Sequence, residues 1–227
     1  LNEMLEPENW SCFLTTACRN FRLSFHEQVM LYAQKPDATA VLPIEGRNGW
    51  NRRFGRWVNR GAKGIAMFDG QSGVRYFFDI ADTHEGRHPR PVPIWTVHLE
   101  QEQSIIETLV NSFGTLGSKE NLGDALLSAA SNAMEDNFQD YLAQLLYYKE
   151  GSFLEPLDVE SLEAVFKPLL QNSIGYMLLV RCGMDPSAHF TPEDFSYISG
   201  FNTLQAINAL GTATSDISQM CLSEIAR

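Results

Sequence analysis

The chain has 227 residues and a formal net charge of −11, with 44% hydrophobic and 20% charged residues. This length suffices for one large or two small domains, and the composition is ordinary for a soluble globular protein. No run of about 18 apolar residues is present, which excludes a membrane span. The acidic first residues lack the pattern of a signal peptide, so we expect a cytoplasmic protein without membrane contact.

The net charge conceals two halves of opposite sign. Residues 19–75 contain ten Lys or Arg and four Asp or Glu, whereas residues 92–227 contain five Lys or Arg and eighteen Asp or Glu. Because the acidic half would repel a polyanion, we expect any nucleic-acid ligand to bind the first half.

The first half predicts a mixture of helices and strands. Residues 8–34 favour a helix in two pieces, the second opened by a capping box of Ser24 and Glu27 and ended by Pro36. Residues 38–43 are β-compatible, and residues 51–58 predict a short helix or an extended arm. Residues 65–68 and 74–80 predict two strands, joined at residues 69–73 as a β-hairpin. Residues 1–83 are therefore expected to form an α+β domain with a small antiparallel sheet.

The second half predicts helices alone. A proline-rich stretch, residues 84–93, is typical of a linker. Residues 94–227 are expected to form an acidic, all-α helical domain. Its predicted helices cover residues 99–113, 122–150, 158–181 with an interruption before Pro168, a further helix from Thr191, and then 203–210 and 215–226.

The clearest functional signal is the basic segment, residues 47–63, which holds six Lys or Arg, no acidic residue and three large aromatic residues. Cations attract a phosphate backbone and aromatic faces stack on unpaired bases, so the pattern favours single-stranded DNA, or another nucleic acid, over duplex. The alternative is a solvated face whose tryptophans pack in the core. The candidate DNA-binding residues are Arg47, Trp50, Arg52, Arg53, Phe54, Arg56, Trp57, Arg60, Lys63 and Arg75.

Other motifs in the sequence give weaker indications of function. Gly61 and Gly64 flank Lys63 in a turn that either cradles a phosphate or simply begins the hairpin. Residues 84–88 match the zinc-protease pattern H-E-x-x-H, but an internal glycine and the prolines that follow argue against a helix that could hold zinc. The four cysteines form no CxxC pair. We therefore expect no metal, no cofactor and no catalytic residues; a zinc hydrolase built on His84 and His88 is the minor alternative.

Residues 24–83 also resemble a known family. The segments that carry the resemblance are S-F-H-E-Q-V-M-L-Y-A-Q-K-P-D-A-T-A, W-N-R-R-F-G-R-W-V-N-R-G-A-K-G-I-A and R-Y-F-F-D-I-A-D-T. They are similar to the ArdC-like N-terminal domain, the single-stranded-DNA-binding module of a plasmid antirestriction protein. The resemblance implies that Trp50, Arg52, Arg53, Arg56, Trp57, Arg60 and Lys63 lie on the binding segment.

The second half resembles the N-terminal region of very large methylase and helicase proteins of Firmicutes conjugative elements. The segments concerned are K-E-G-S-F-L-E at 149–155, L-L-V-R-C-G at 178–183, F-N-T at 201–203 and L-G-T-A-T-S-D at 210–216. By this resemblance, the chain is a stand-alone or truncated version of such a region. ArdC itself carries H-E-x-x-H on a helix in its C-terminal domain, and residues 92–227 have no such motif, so the resemblance implies no peptidase activity.

Together these observations predict a non-catalytic single-stranded-DNA-binding protein of a bacterial mobile genetic element, such as a conjugative transposon. Its expected role is antirestriction, another anti-defence activity, or handling of the transferred strand. The alternative is a protein–protein interaction module whose acidic helical half inhibits a host defence protein that targets nucleic acid.

Overall fold

The computed structural model describes residues 2–69 and 73–227, and it confirms the expected fold class. A 3-10 helix, Asn2–Leu5, is followed by two α-helices. Helix α1 covers Pro7–Arg19, with proline in its first turn, and helix α2 covers Phe25–Gln34. The capping box predicted for α2 is present: the Ser24 hydroxyl accepts from the amide of Glu27, whose carboxylate accepts from the amide of Ser24.

Five short strands follow in two antiparallel sheets. Strands β1 (Val41–Pro43), β3 (Ile65–Asp69) and β4 (Gly73–Asp79) form a sheet in the order β1-β4-β3. Strand β2 (Arg56–Val58) pairs separately with β5 (Thr83–Glu85). Strands β3 and β4 form the predicted antiparallel hairpin, in which Ile65 lies opposite Phe77 and Phe68 lies opposite Val74, while its expected turn lies partly outside the described residues.

The remaining chain is helical after a segment, residues 86–98, that is neither helix nor strand. Helix α3 covers Glu102–Phe113, α4 covers Leu122–Tyr148, α5 covers Val159–Arg181 and α6 covers Leu204–Ile225. The helix predicted from Thr191 is a 3-10 helix, Pro192–Gly200, opened by a capping box of Thr191 and Asp194.

Two predicted helix breaks are wrong. Helix α5 continues through Pro168, although proline removes one backbone hydrogen bond, because Phe166, Leu169 and Leu170 around it are fully buried. Helix α6 continues through Gly211, where a Cβ would lie 2.1 Å from the Phe25 ring. The glycine therefore allows α2 and α6 to approach closely instead of ending the helix.

The helices share one hydrophobic core, which includes both ends of the chain. Trp10, Phe13 and Leu14 of α1 belong to the same cluster as the buried residues of α3 to α6, and the Trp10 indole donates to Ser173 Oγ at 2.9 Å. A smaller cluster, with Leu31 and Met67, joins α2 to the sheet. The division into residues 1–83 and 94–227 stays a prediction, but the packing joins α1 and α2 to the helical region.

Candidate nucleic-acid interface

The basic segment contains a single π-helical turn, Trp50–Phe54. Trp50 is fully buried and its indole Nε1 donates to the carbonyl oxygen of Phe78 at 2.7 Å. The Phe54 ring, which is also buried, packs at 5.7 Å from the Trp50 ring. The expectation that these two rings offer stacking faces is therefore corrected, because both are buried, and Trp50 attaches the turn to the sheet.

The chain then reverses at Gly55 and enters the ribbon of β2 and β5. Gly55 has a φ of 64°, and a Cβ there would lie 2.4 Å from the carbonyl oxygen of His88. In the ribbon, Trp57 pairs with His84, and its side chain is 55% exposed. Trp57 is thus the one aromatic residue of the basic segment whose ring is open to a ligand in the described structure.

Arg56 has a structural role. Its Nε donates to Thr83 Oγ1 at 2.8 Å, one terminal nitrogen donates to Thr83 O at 3.1 Å, and the other lies 3.4 Å from a Glu85 carboxylate oxygen. The side chain is only 14% exposed. The prediction that Arg56 contacts phosphate is not supported by this geometry, because its donors already hold β2 against β5.

The predicted linker lies against the basic segment. Gly86 N donates to Gly55 O at 2.8 Å, Arg90 N donates to Phe54 O at 2.9 Å, and the Arg90 guanidinium donates to Arg53 O at 3.3 Å. Gly86 is required here, since a Cβ would lie 2.8 Å from the Trp57 indole nitrogen. Residues 86–90 therefore form one wall of a groove whose other wall is the basic segment.

This groove, which we call the basic groove, has a volume of about 540 Å³. Three of its residues are arginines that form no ion pair within the parts of the chain that the structure describes. The buried Oδ1 of Asn51, also in the groove wall, has no hydrogen-bond partner there. The lining residues are Asn51, Arg52, Gly55, Trp57, Gly86, Arg87, His88 and Arg90.

Only two of the predicted DNA-binding residues, Arg52 and Trp57, line the basic groove. Arg53 is exposed and its guanidinium lies 5.1 Å from the centre of the Phe54 ring. Arg47, Arg60 and Lys63 are exposed on the flanking loops. Arg75 lies on β4 beside the Phe77 ring, in a separate depression that Met67 and Phe68 also line.

Sequence reasoning missed Arg87, His88 and Arg90. They lie in the stretch R-H-P-R, within the segment whose prolines predict a linker. The available signal was its charge, since this stretch has two arginines and a histidine without an acid. It is hydrogen-bonded to residues 53–55, which lie more than thirty positions earlier in the sequence. Composition and local patterns do not reveal a contact at that separation.

The H-E-x-x-H match does not form a zinc-protease helix. His84 lies in strand β5 and donates from Nδ1 to Asn59 Oδ1 at 2.8 Å, whereas His88 lies in the irregular segment that follows. Within residues 2–69 and 73–227, no group of three or more His, Cys, Asp or Glu is arranged to hold a metal ion.

The helical region carries a different feature, an apolar cavity of about 480 Å³ between α2, the end of α4 and the start of α6. Tyr148 and Leu204, at its edge, are 43% and 69% exposed. The cavity is lined by Met4, Phe25, His26, Val29, Tyr148, Leu204, Gln205, Ile207 and Asn208.

The structure thus combines an α+β region, which carries the basic groove, with a helical region of acidic sequence. None of the helices in the described residues could cross a lipid bilayer. Comparison with protein-family models, with curated proteins and with solved structures gives no match.

Proposed function

We propose that the chain is a single-stranded-DNA-binding protein, and that the basic groove is the binding site. This proposal rests on one observation: Arg52, Arg87 and Arg90 line the same groove as the exposed ring of Trp57. Guanidinium groups that form no ion pair can neutralise phosphates, and the indole face stacks on a base that is not already stacked in a duplex.

The biological role that we propose follows from the resemblance to the ArdC-like domain. Such a protein would act for a bacterial mobile genetic element, where it would protect the transferred strand from restriction or from another defence that attacks nucleic acid. The proposal assigns no chemical step to the chain, because its groove residues bind a strand through charge and stacking alone.

The direct test is fluorescence anisotropy with single-stranded and duplex DNA of the same sequence. Wild type is compared with the double variant Arg52→Gln/Arg87→Gln and with a control of equal charge, Arg19→Gln/Lys119→Gln, whose two positions are exposed outside the groove. We expect preference for the single strand, weaker binding in the groove variant and unchanged binding in the control. Equal losses in both variants would show general charge attraction and would contradict the assignment to the groove.

A second candidate is an interaction module that inhibits a host defence protein through the acidic helical half. The apolar cavity between α2, α4 and α6 favours it, since exposed apolar concavities bind partners. A restriction-protection assay in cells separates the two candidates. Loss of protection with Leu204→Glu alone would favour the interaction module, whereas loss with Arg52→Gln/Arg87→Gln alone would favour the groove.

A further inference from the structure

The outer face of the three-stranded sheet consists of apolar and aromatic side chains. In β3 and β4, Ala66 lies opposite Tyr76 and Phe68 lies opposite Val74, so these four share one face. The opposite face packs on α2 through Ile65 and Met67. The register adds two neighbours on β1 and β4, so that the outer face, which we call the sheet face, comprises Leu42, Ala66, Phe68, Val74, Tyr76 and Phe78.

Much of the sheet face is open to solvent. Phe68 is 69% exposed, Tyr76 is 59% exposed and Val74, between them, is 46% exposed. In an antiparallel sheet with one face in the core, the residues on the solvent side are normally polar, whereas those on the sheet face are apolar or aromatic. A contiguous exposed apolar face of this kind marks a binding surface.

Cations border the sheet face. A Cβ on Gly64 would lie 2.9 Å from Tyr76 Cδ1 and 3.1 Å from Phe78 Cζ, so the backbone after Lys63 packs directly on these rings. Lys63 and Arg60, in the same turn, are exposed and form no ion pair among the residues that the structure describes. Aromatic faces beside unpaired cations suit a polyanion with flat, stackable groups better than an uncharged apolar partner.

The sheet face and the basic groove share one support. The Trp50 indole donates to the carbonyl oxygen of Phe78 in β4, and the same residue opens the turn that carries Arg52 into the groove. Because this indole is fully buried, the turn and β4 are held together. The basic groove and the sheet face are therefore connected through this hydrogen bond.

We propose that the sheet face is a second contact surface for the same DNA strand. Phe68 and Tyr76 stack on unpaired bases, and Arg60 and Lys63 neutralise the phosphates between them. Aromatic side chains on open sheets stack two or three successive bases in other single-strand-binding folds. The inference rests on the proposed function, because it extends the binding path from the groove.

The test is fluorescence anisotropy with oligothymidylates of about 4 to 16 nucleotides, the range of site sizes for single-strand-binding domains. The sheet-face variant is Phe68→Ser/Tyr76→Ser, and Trp57→Ala reports on the groove. A matched control is Tyr147→Ser/Phe153→Ser, which removes two aromatic residues of similar exposure, 79% and 71%, from the helical region. Circular dichroism establishes that each variant is folded, and sedimentation velocity gives its oligomeric state.

We expect the sheet-face variant to bind the longest oligonucleotides about tenfold or more weakly than wild type, and to bind the shortest ones equally well. The control should bind as wild type does. If Trp57→Ala weakens binding while the sheet-face variant matches wild type at every length, the sheet-face proposal alone is overturned. If wild type binds no oligonucleotide, both proposals fail. A wild-type dimer that the sheet-face substitutions convert to a monomer would assign the face to a second copy of the chain.

Discussion

Trp50 and Trp57 lie seven residues apart in the same basic segment, yet the fold uses them in opposite ways. Trp50 is fully buried and hydrogen-bonded to β4, whereas the Trp57 ring is half exposed beside three arginines. The sequence could not separate them, because both have cations as neighbours. The difference arises from the π-helical turn, which directs the first ring inward, and from strand β2, which places the second at the groove.

Because of this difference, alanine substitutions of Trp50 and Trp57 form a matched pair. Trp57→Ala should weaken single-strand binding about 5-fold to 160-fold, since base–aromatic stacking contributes about 1–3 kcal/mol, with little change in stability. Trp50→Ala should lower the free energy of unfolding by about 3–5 kcal/mol, because it removes a large buried ring. Urea unfolding and anisotropy on both proteins give the two quantities. A destabilised Trp57→Ala with normal binding would contradict this division of roles.

The four cysteines also differ by environment. Burial raises the pKa of the thiols of Cys18, Cys182 and Cys221 to about 12, whereas Cys12 is exposed. The thiolate is the reactive form, so the three buried thiols should resist alkylation at neutral pH. We expect iodoacetamide to modify Cys12 alone in the folded protein and all four cysteines in denaturant, as read by mass spectrometry. Rapid labelling of a buried cysteine would show that its helix opens readily.

At the scale of elements, local signals were sufficient for the hairpin and for most helices. The capping box at Ser24 and Glu27 involves neighbours in sequence, and so does the pairing of β3 with β4. The pairing of β2 with β5 joins Arg56 to Glu85, which are separated in sequence by both strands of the hairpin. Sequence analysis could not recover that ribbon, and without it the groove could not be assembled from the correct residues.

One cluster ties α2 to the end of β4. Lys35 Nζ lies 2.7 Å from an Asp82 carboxylate oxygen and 4.0 Å from one of Asp79, whose carboxylate also accepts from the amides of Thr39 and Ala40. Burial alone would lower the pKa of Lys35. The hydrogen bond to Asp82 and the charges of Asp82, Asp79 and Asp37 outweigh this effect and raise that pKa above its ordinary value.

A raised lysine pKa in the folded state has a defined effect on stability. The contribution of the Lys35 charge to the free energy of unfolding is complete below the pKa of the unfolded state, about 10.4, and it is lost as the pH rises through the higher pKa of the folded state. We expect the thermal midpoint of wild type to fall more steeply above about pH 10.4 than that of Lys35→Met, which has no charge to lose. Calorimetry over this range measures both slopes. Identical slopes would show that the cluster contributes no pH-dependent stability.

At the scale of the whole molecule, the chain divides by charge but not by packing. Residues 19–75 are basic and residues 92–227 are acidic, as the sequence indicates. The hydrophobic core nevertheless includes α1 together with α5 and α6. The sequence shows where charges lie along the chain. Whether the two halves share a core depends instead on contacts between residues that are far apart in the sequence. The fold class was therefore predictable, and the extent of the helical region was not.

This packing predicts how a cleaved chain behaves. Residues 94–227 alone would lack α1, whose Trp10 packs against α5 and donates to Ser173, so the isolated piece would expose that face. We expect the intact protein to unfold in one transition by circular dichroism and by fluorescence, and the isolated piece to lose cooperative melting. Two separate transitions in the intact protein, or a sharp melt of the isolated piece, would show that the halves fold independently.

The salt dependence of single-stranded-DNA binding tests the role of the basic groove most directly. Each phosphate neutralised on a single strand contributes a slope of about −0.7 to log K against log salt. The variant Arg52→Gln/Arg87→Gln/Arg90→Gln should therefore bind single-stranded DNA more weakly, with a slope less negative by about 2 than that of wild type. Wild-type binding that is indifferent to salt, or a variant with an unchanged slope, would contradict the claim that these three arginines hold the strand.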